Sequence, residues 1–109
     1  MTKLEQLTQE AVEIIALHMS VRPEAILSSK RGGWEVSDAR FILYSVLAFH
    51  GYSYLEIGKV IGDRDRTSVI HGINQIKERR LLGNSERRLK GALLKVSEHY
   101  NLEELWAAE

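Results

Sequence analysis

Apolar residues recur every three or four positions along nearly the whole of this chain, broken by a single proline and few β-branched runs. That spacing matches one face of a helix rather than the alternation of a strand, so the expected fold is an all-α helical bundle. A first helix is expected over roughly 3–19, with Leu4, Leu7, Ala11, Ile14, Ile15 and His18 as its inward stripe. Pro23 suits a first helical position and opens a short turn of helix ending at Leu27. The polar, glycine-containing run over 28–34 reads as a loop, with Trp34 expected to close over the core rather than lie on a sugar–phosphate backbone. Ser37 is expected to cap a third helix over about 38–50, apolar nearly all round as a central helix should be, and Gly51 to stop it.

The second half repeats the pattern in shorter pieces. Ser53-Tyr54-Leu55-Glu56 is a capping-box sequence, so a fourth helix starts near Tyr54, faces Leu55, Ile57, Gly58 and Ile61 inward, and ends at Gly62. The next helix begins between Asp65 and Thr67 and runs to about Leu82, with Val69, Ile70, Ile73 and Ile76 on its buried side. Gly83-Asn84 breaks the chain, and a further helix is expected over about 85–99 on Leu89, Leu93, Val96 and Tyr100. Asn101 and Glu104 are spaced to cap one last short turn. The 109 residues suit one domain with one core, and there is no internal repeat or low-complexity segment.

Composition excludes several functions. Without cysteine there are no disulfides, iron–sulfur clusters or thiolate zinc sites. His18, His50, His71 and His99 show no paired spacing for a metal, so no metal or other cofactor is expected. Glu103-Glu104 reads as part of a solvated tail, and no nucleophile or acid–base pair suggests an enzyme or a small-molecule substrate. No apolar run approaches the ~18 residues of a membrane span, and the N-terminus lacks the plan of a signal peptide, so a bacterial-type cytoplasm or nucleoid is expected, with no membrane partner. The formal net charge is zero, yet residues 59–97 hold ten Lys or Arg against four acids while the last twelve residues hold four Glu. Phosphate responds to the local field, so a basic central segment is compatible with DNA, as it is with solvated helix faces.

Residues 53–82 form a short helix, a tight turn and a longer helix, the pattern of a helix-turn-helix. In that motif the N-terminal residues of the second helix meet base edges in the major groove. Here they are Arg64, Asp65, Arg66, Thr67 and Ser68, with His71 a turn further on and Lys59 on the helix before. Arg64 or Arg66 can donate twice to guanine, Thr67 can set its methyl against thymine, and Thr67 or Ser68 can donate to phosphate. Asp65 has two readings, helix cap or cytosine acceptor, with the cap preferred; His71 either faces DNA or packs against the preceding helix. Arg79-Arg80 and Arg87-Arg88 with Lys90 are either exposed surface or flanking phosphate contacts.

The stretch Ser53-Tyr54-Leu55-Glu56-Ile57-Gly58-Lys59-Val60-Ile61-Gly62-Asp63-Arg64-Asp65-Arg66-Thr67-Ser68-Val69-Ile70-His71-Gly72 resembles the signature of the C-terminal DNA-binding domain of the bacterial replication initiator DnaA family, approximately S-x-x-E-I-G-x-x-F-G-G-R-D-H-T-T-V-x-H-A. The upstream order is similar too: Val12-x-Ile14-x-Ala16, Val21 through Leu27-Ser28, Lys30-Arg31, and an Arg40 opening an apolar helix, so the resemblance covers about 8–82. It implies a TrpR-like, DnaA-like helix-turn-helix bundle that binds double-stranded DNA in replication initiation or its regulation. Asp65, Arg66 and Thr67 fall on that family's major-groove readers and Ser68 on a phosphate-contacting threonine. Lys30, Arg31 and Arg40 fall in or beside a basic loop that in the family reaches the minor groove.

Four departures change the expectation. Arg66 stands where the family usually has histidine, which favours guanine, so the family's usual initiator box is not the expected target. Asp63 replaces the second glycine of the turn, and Gly32-Gly33-Trp34-Glu35 stands where the family is rich in arginine. No phosphate loop of the G-x-x-x-x-G-K-[ST] type is present, so ATP-driven origin opening is not expected of this chain alone. The added segment 84–109 favours a stand-alone relative over an excised domain, by analogy a phage or prophage regulator. The rival reading is a protein–protein or phage packaging module, in which the C-terminal helix, with Leu105 and Trp106, binds a replication protein or a second copy.

Overall fold

The computed structural model describes residues 2–30, 32–82 and 87–101, without the side chains of 79–82 and 87–88. Within them the chain is six helices: α1 (Lys3–Met19), α2 (Pro23–Leu27), α3 (Trp34–Phe49), α4 (Tyr54–Val60), α5 (Arg66–Leu82) and α6 (Arg87–Tyr100). The expected Gly83-Asn84 break, the Glu104 cap, and the placements of Leu105 and Trp106 lie outside the described residues, as do the side chains of Arg79, Arg80, Arg87 and Arg88.

Helix α1 opens on a reciprocal capping box, in which Glu5 N–H donates to Thr2 Oγ1 at 3.0 Å and Thr2 N–H to Glu5 Oε1 at 2.8 Å. Its fully buried residues are Thr8, Ala11, Val12, Ile15, Ala16 and Met19, which turns the core face away from the expected stripe. Leu4, Leu7, Ile14 and His18 are only half-buried. The reason is that α1 is covered by two neighbours, α3 and α6, so a wide arc is enclosed. Alanines at 11 and 16 suit close approach, and the Thr8 hydroxyl hides its polarity by donating to Leu4 O.

Helix α3 is the axis of the molecule and touches all five other helices. Ile42, Leu43, Tyr44, Val46 and Leu47 are buried within it. It starts a turn earlier than expected, with Gly33 rather than Ser37 as its N-cap, and Ser37 N–H donates to Gly33 O as a first helical bond. Trp34 thereby sits in the first turn of a helix and is 52% exposed, not closed over the core. At the other end Gly51, at φ +93, takes the left-handed conformation that ends the helix.

Helix α6 packs on α1 and α3 through Leu89, Ala92, Leu93 and Val96. Tyr100 closes this end: its ring meets His50 edge-on at 5.2 Å and its hydroxyl points at Glu10 Oε1, 3.4 Å away. Burial, joined by the Glu10 charge, pushes the phenol up to about 12. The buried residues of α1 to α6 merge into a single core. Among the described residues no helix is long and apolar enough to cross a membrane.

Candidate nucleic-acid interface

Helix α4 is set by Ser53, whose side chain accepts from Glu56 N–H at 3.1 Å while Glu56 Oε1 accepts from Ser53 N–H at 2.9 Å. Seven residues leave α4 one narrow buried face, Ile57 and Gly58, with Ile61 buried just beyond its end. Leu55 lies about 200° round the helix from Ile57 and is 55% exposed, contrary to the expectation that it faces inward. The chain then reverses through Gly62 at φ +72 and Asp63 at φ +54. Asp63 thus takes the left-handed conformation, which Asp tolerates better than most residues, where the resembled family has glycine. The turn folds back on α4: Arg64 N–H donates to Gly58 O at 2.7 Å, and a Cβ on Gly58 would overlap the Arg64 carbonyl.

Asp65 caps α5. Its Oδ1 accepts from Ser68 N–H at 2.9 Å, and that bond holds its carboxyl below the usual aspartate value. Helix α5 therefore starts at Arg66, and Arg64 belongs to the turn. On α5, Val69, Gly72, Ile73 and Ile76 form the buried arc. Gly72 lets the rings of Phe41 and Tyr44 lie against the α5 backbone, since a Cβ there would come within 2.5 Å of Phe41 Cδ1. The exposed arc carries Arg66, Thr67, Ser68, Ile70, His71, Asn74 and Lys77. Ile70 had been expected in the core. It is 37% exposed because it stands about 100° round the helix from Val69, past the edge of the arc that α3 and α4 cover. His71 is exposed to solvent and meets Phe41 of α3, not the preceding helix α4, edge-on at 5.9 Å.

Arg40 does not stand on the surface. It is 3% exposed, and its guanidinium donates to the carbonyls of Ile26 at 2.9 Å and Ala25 at 2.8 Å, with longer bonds to Ser28 and Lys30 at 3.4 Å. Its placement answers a local need: α2 ends in carbonyls with no further helix to bond, and a buried cation satisfies them. Arg64 reaches the same loop across the turn, donating to Ser28 O at 3.1 Å and Lys30 O at 3.2 Å. Burial, and then the neighbouring Arg64 charge, depress the Arg40 pKa. Two arginines expected at DNA thus spend donors on pinning the backbone of 25–30. That leaves Lys30 exposed on the pinned loop; Arg31 lies outside the described residues. Lys59 is exposed in the last turn of α4.

Helix α3, the turn at Arg64 and Asp65, and the start of α5 line an open cleft of about 470 Å³, with Arg40, Arg64, Thr67, Ser68 and His71 among its walls. Sequence reasoning missed Asn74 and Lys77, which follow Arg66 and Ile70 along one exposed stripe at helical spacing. Among the described residues no three His, Asp or Glu side chains gather as a metal site would require.

A short capped helix, a turn locked by a backbone-to-backbone contact, and a longer helix with a polar exposed arc define a helix-turn-helix domain. The family model for the bacterial DnaA protein helix-turn-helix matches residues 8–76, and the chain belongs to that family. Among curated proteins it is similar to the chromosomal replication initiator protein DnaA of Thermus thermophilus, 30% identical over 96 residues that make up 88% of this chain and 21% of the relative. The DnaA of Thermomicrobium roseum is 30% identical over 93 residues, 84% of this chain and 19% of the relative. The chain spans about a fifth of the length of these relatives. Helix α6 lies beyond residues 8–76, the stretch that the family model matches.

Proposed function

We propose that this chain binds double-stranded DNA in a sequence-specific manner, with the N-terminal half of α5 in the major groove, in the initiation of replication or its control. The observation that carries this reading is the division of α5: its apolar arc is consumed by the core, while Arg66, Thr67 and Ser68 stand exposed on its first turn. An arginine suits guanine, a threonine methyl suits thymine, and Ser68 and the α5 N-terminus suit a backbone phosphate. Lys30 and Lys59 supply further phosphate contacts, and Arg40 and Arg64 act by holding the loop that carries Lys30. The name of the relatives, chromosomal replication initiator protein, supports the process. Binding requires neither ATP hydrolysis nor a cofactor.

A fluorescence-anisotropy titration against mixed-sequence duplex, repeated over a salt series, tests the reading. Wild type binds with an affinity that falls as salt rises; Lys30→Ala weakens binding to every sequence and lowers the salt slope by about one. ATP or ADP leaves the curves unchanged. Absence of salt-dependent binding at low ionic strength would refute the proposal.

A further inference from the structure

Ile70 stands out as an apolar side chain on an otherwise polar exposed arc of α5. The fold covers part of it, but the side chain keeps 37% exposure and is not needed to complete the core. Val69, Ile73 and Ile76 already fill the buried arc at 0%, 8% and 1% exposure. Nor does helix formation call for it, since β-branched residues form helices less readily than straight-chain ones. Its place is informative: it follows Arg66 by one turn, about 40° round, and precedes Asn74 by the same step. We propose that Ile70 determines specificity by packing against the 5-methyl group of a thymine in the major groove. This rests on the reading that α5 enters that groove.

Thymine is the base whose major-groove edge carries an apolar group, and an aliphatic side chain held between polar readers discriminates for it. A β-branched side chain in a helix is restricted to essentially one χ1 rotamer, so little conformational freedom is lost when it packs. Four residues of helix advance about 6 Å along the axis. At about 3.4 Å per base step, the thymine lies within about two base pairs of the guanine read by Arg66.

The test starts from the tightest duplex selected out of a random library by the purified chain. Each thymine of that duplex is replaced singly by deoxyuridine, which removes the methyl and keeps the pairing. One replacement, within two base pairs of the Arg66-dependent guanine, should weaken wild type about fourfold, the weight of one buried methyl. Ile70→Ala should bind the unmodified duplex more weakly and be indifferent to that replacement, while Ile70→Val should keep part of the methyl dependence. Thermal melts establish that both variants fold. An enriched site at which no replacement matters, or a methyl dependence that survives in Ile70→Ala, would overturn the role of Ile70 and leave duplex reading intact. Failure to enrich any sequence would overturn duplex reading, and the role of Ile70 with it.

Discussion

Replacing Gly58 by alanine probes the joint between α4 and α5. A Cβ at this position would overlap the carbonyl of Arg64, and Arg64 N–H donates back to Gly58 O at 2.7 Å. The obstruction is backbone, so no rotamer change relieves it, and the turn must shift. Overpacking of this kind costs about 1–3 kcal/mol, and weakening the 2.7 Å hydrogen bond about 1 kcal/mol more. Against these, alanine in a helix gains about 1 kcal/mol over glycine. The steric effect wins, leaving a net loss of about 1–3 kcal/mol. That corresponds to a melting temperature lower by about 5–20 °C for a domain of this size. Urea and thermal melts followed by circular dichroism at 222 nm measure it. Gly91→Ala is the internal control: it lies in α6 with open space where the Cβ would go, and should raise stability by about 0.5–1 kcal/mol. A Gly58→Ala protein within about 0.5 kcal/mol of wild type would refute the argument that this contact locks the turn.

Arg40→Met leaves the Ala25 and Ile26 carbonyls without their buried partner and should destabilise the protein by about 2–4 kcal/mol in urea melts. The salt slope of DNA binding by the molecules that remain folded should be unchanged; a slope lowered by about one with normal stability would make Arg40 a phosphate ligand instead. Asp65→Ala removes the α5 cap and should cost about 1 kcal/mol, read in the same melts. The carboxyls of Glu5, Glu56 and Asp65 are each held below their ordinary values by hydrogen bonds at helix starts. Their stabilisation is therefore complete above the ordinary values of 4.5 for Glu and 3.8 for Asp, and is lost as pH falls through the lowered ones. Melts at pH 6 and pH 3 should show the protein less stable in acid, and a combined Glu5→Gln, Glu56→Gln, Asp65→Asn variant should narrow the difference.

The helices were legible because their signals are local. The capping sequences Thr2 to Glu5 and Ser53 to Glu56, proline at 23, and glycines at 51 and 62 each act within a turn of chain. Local preference favours Ser37 over Gly33 as the cap of α3, yet the helix starts one turn earlier at the weaker but competent cap, so local preference alone misplaces its start. The orientation of α1, Leu55 and Ile70 depended on how many neighbours cover each helix, which a helical period does not encode. The largest revision concerns the arginines. Arg40 opens an apolar stretch and reads as a surface cation, yet the chain beyond α2 offers the Ala25 carbonyl only a long bond from Ser28 N–H, and Arg40 supplies the donors for Ala25 and Ile26. The polar start of α5 needs only the motif and its spacing, so the exposure of Arg66, Thr67 and Ser68 is legible in sequence, whereas that of Ile70 requires the packed structure.

Selection from a random duplex library, run in parallel with wild type and Arg66→Ala, addresses the central claim most directly. Wild type should enrich a compact motif that specifies a G·C pair. Arg66→Ala should lose about 1–3 kcal/mol on that motif and accept other bases at that one pair while melting as wild type does. Equal motifs and equal affinities for the two proteins, or no enrichment with either, would contradict the account.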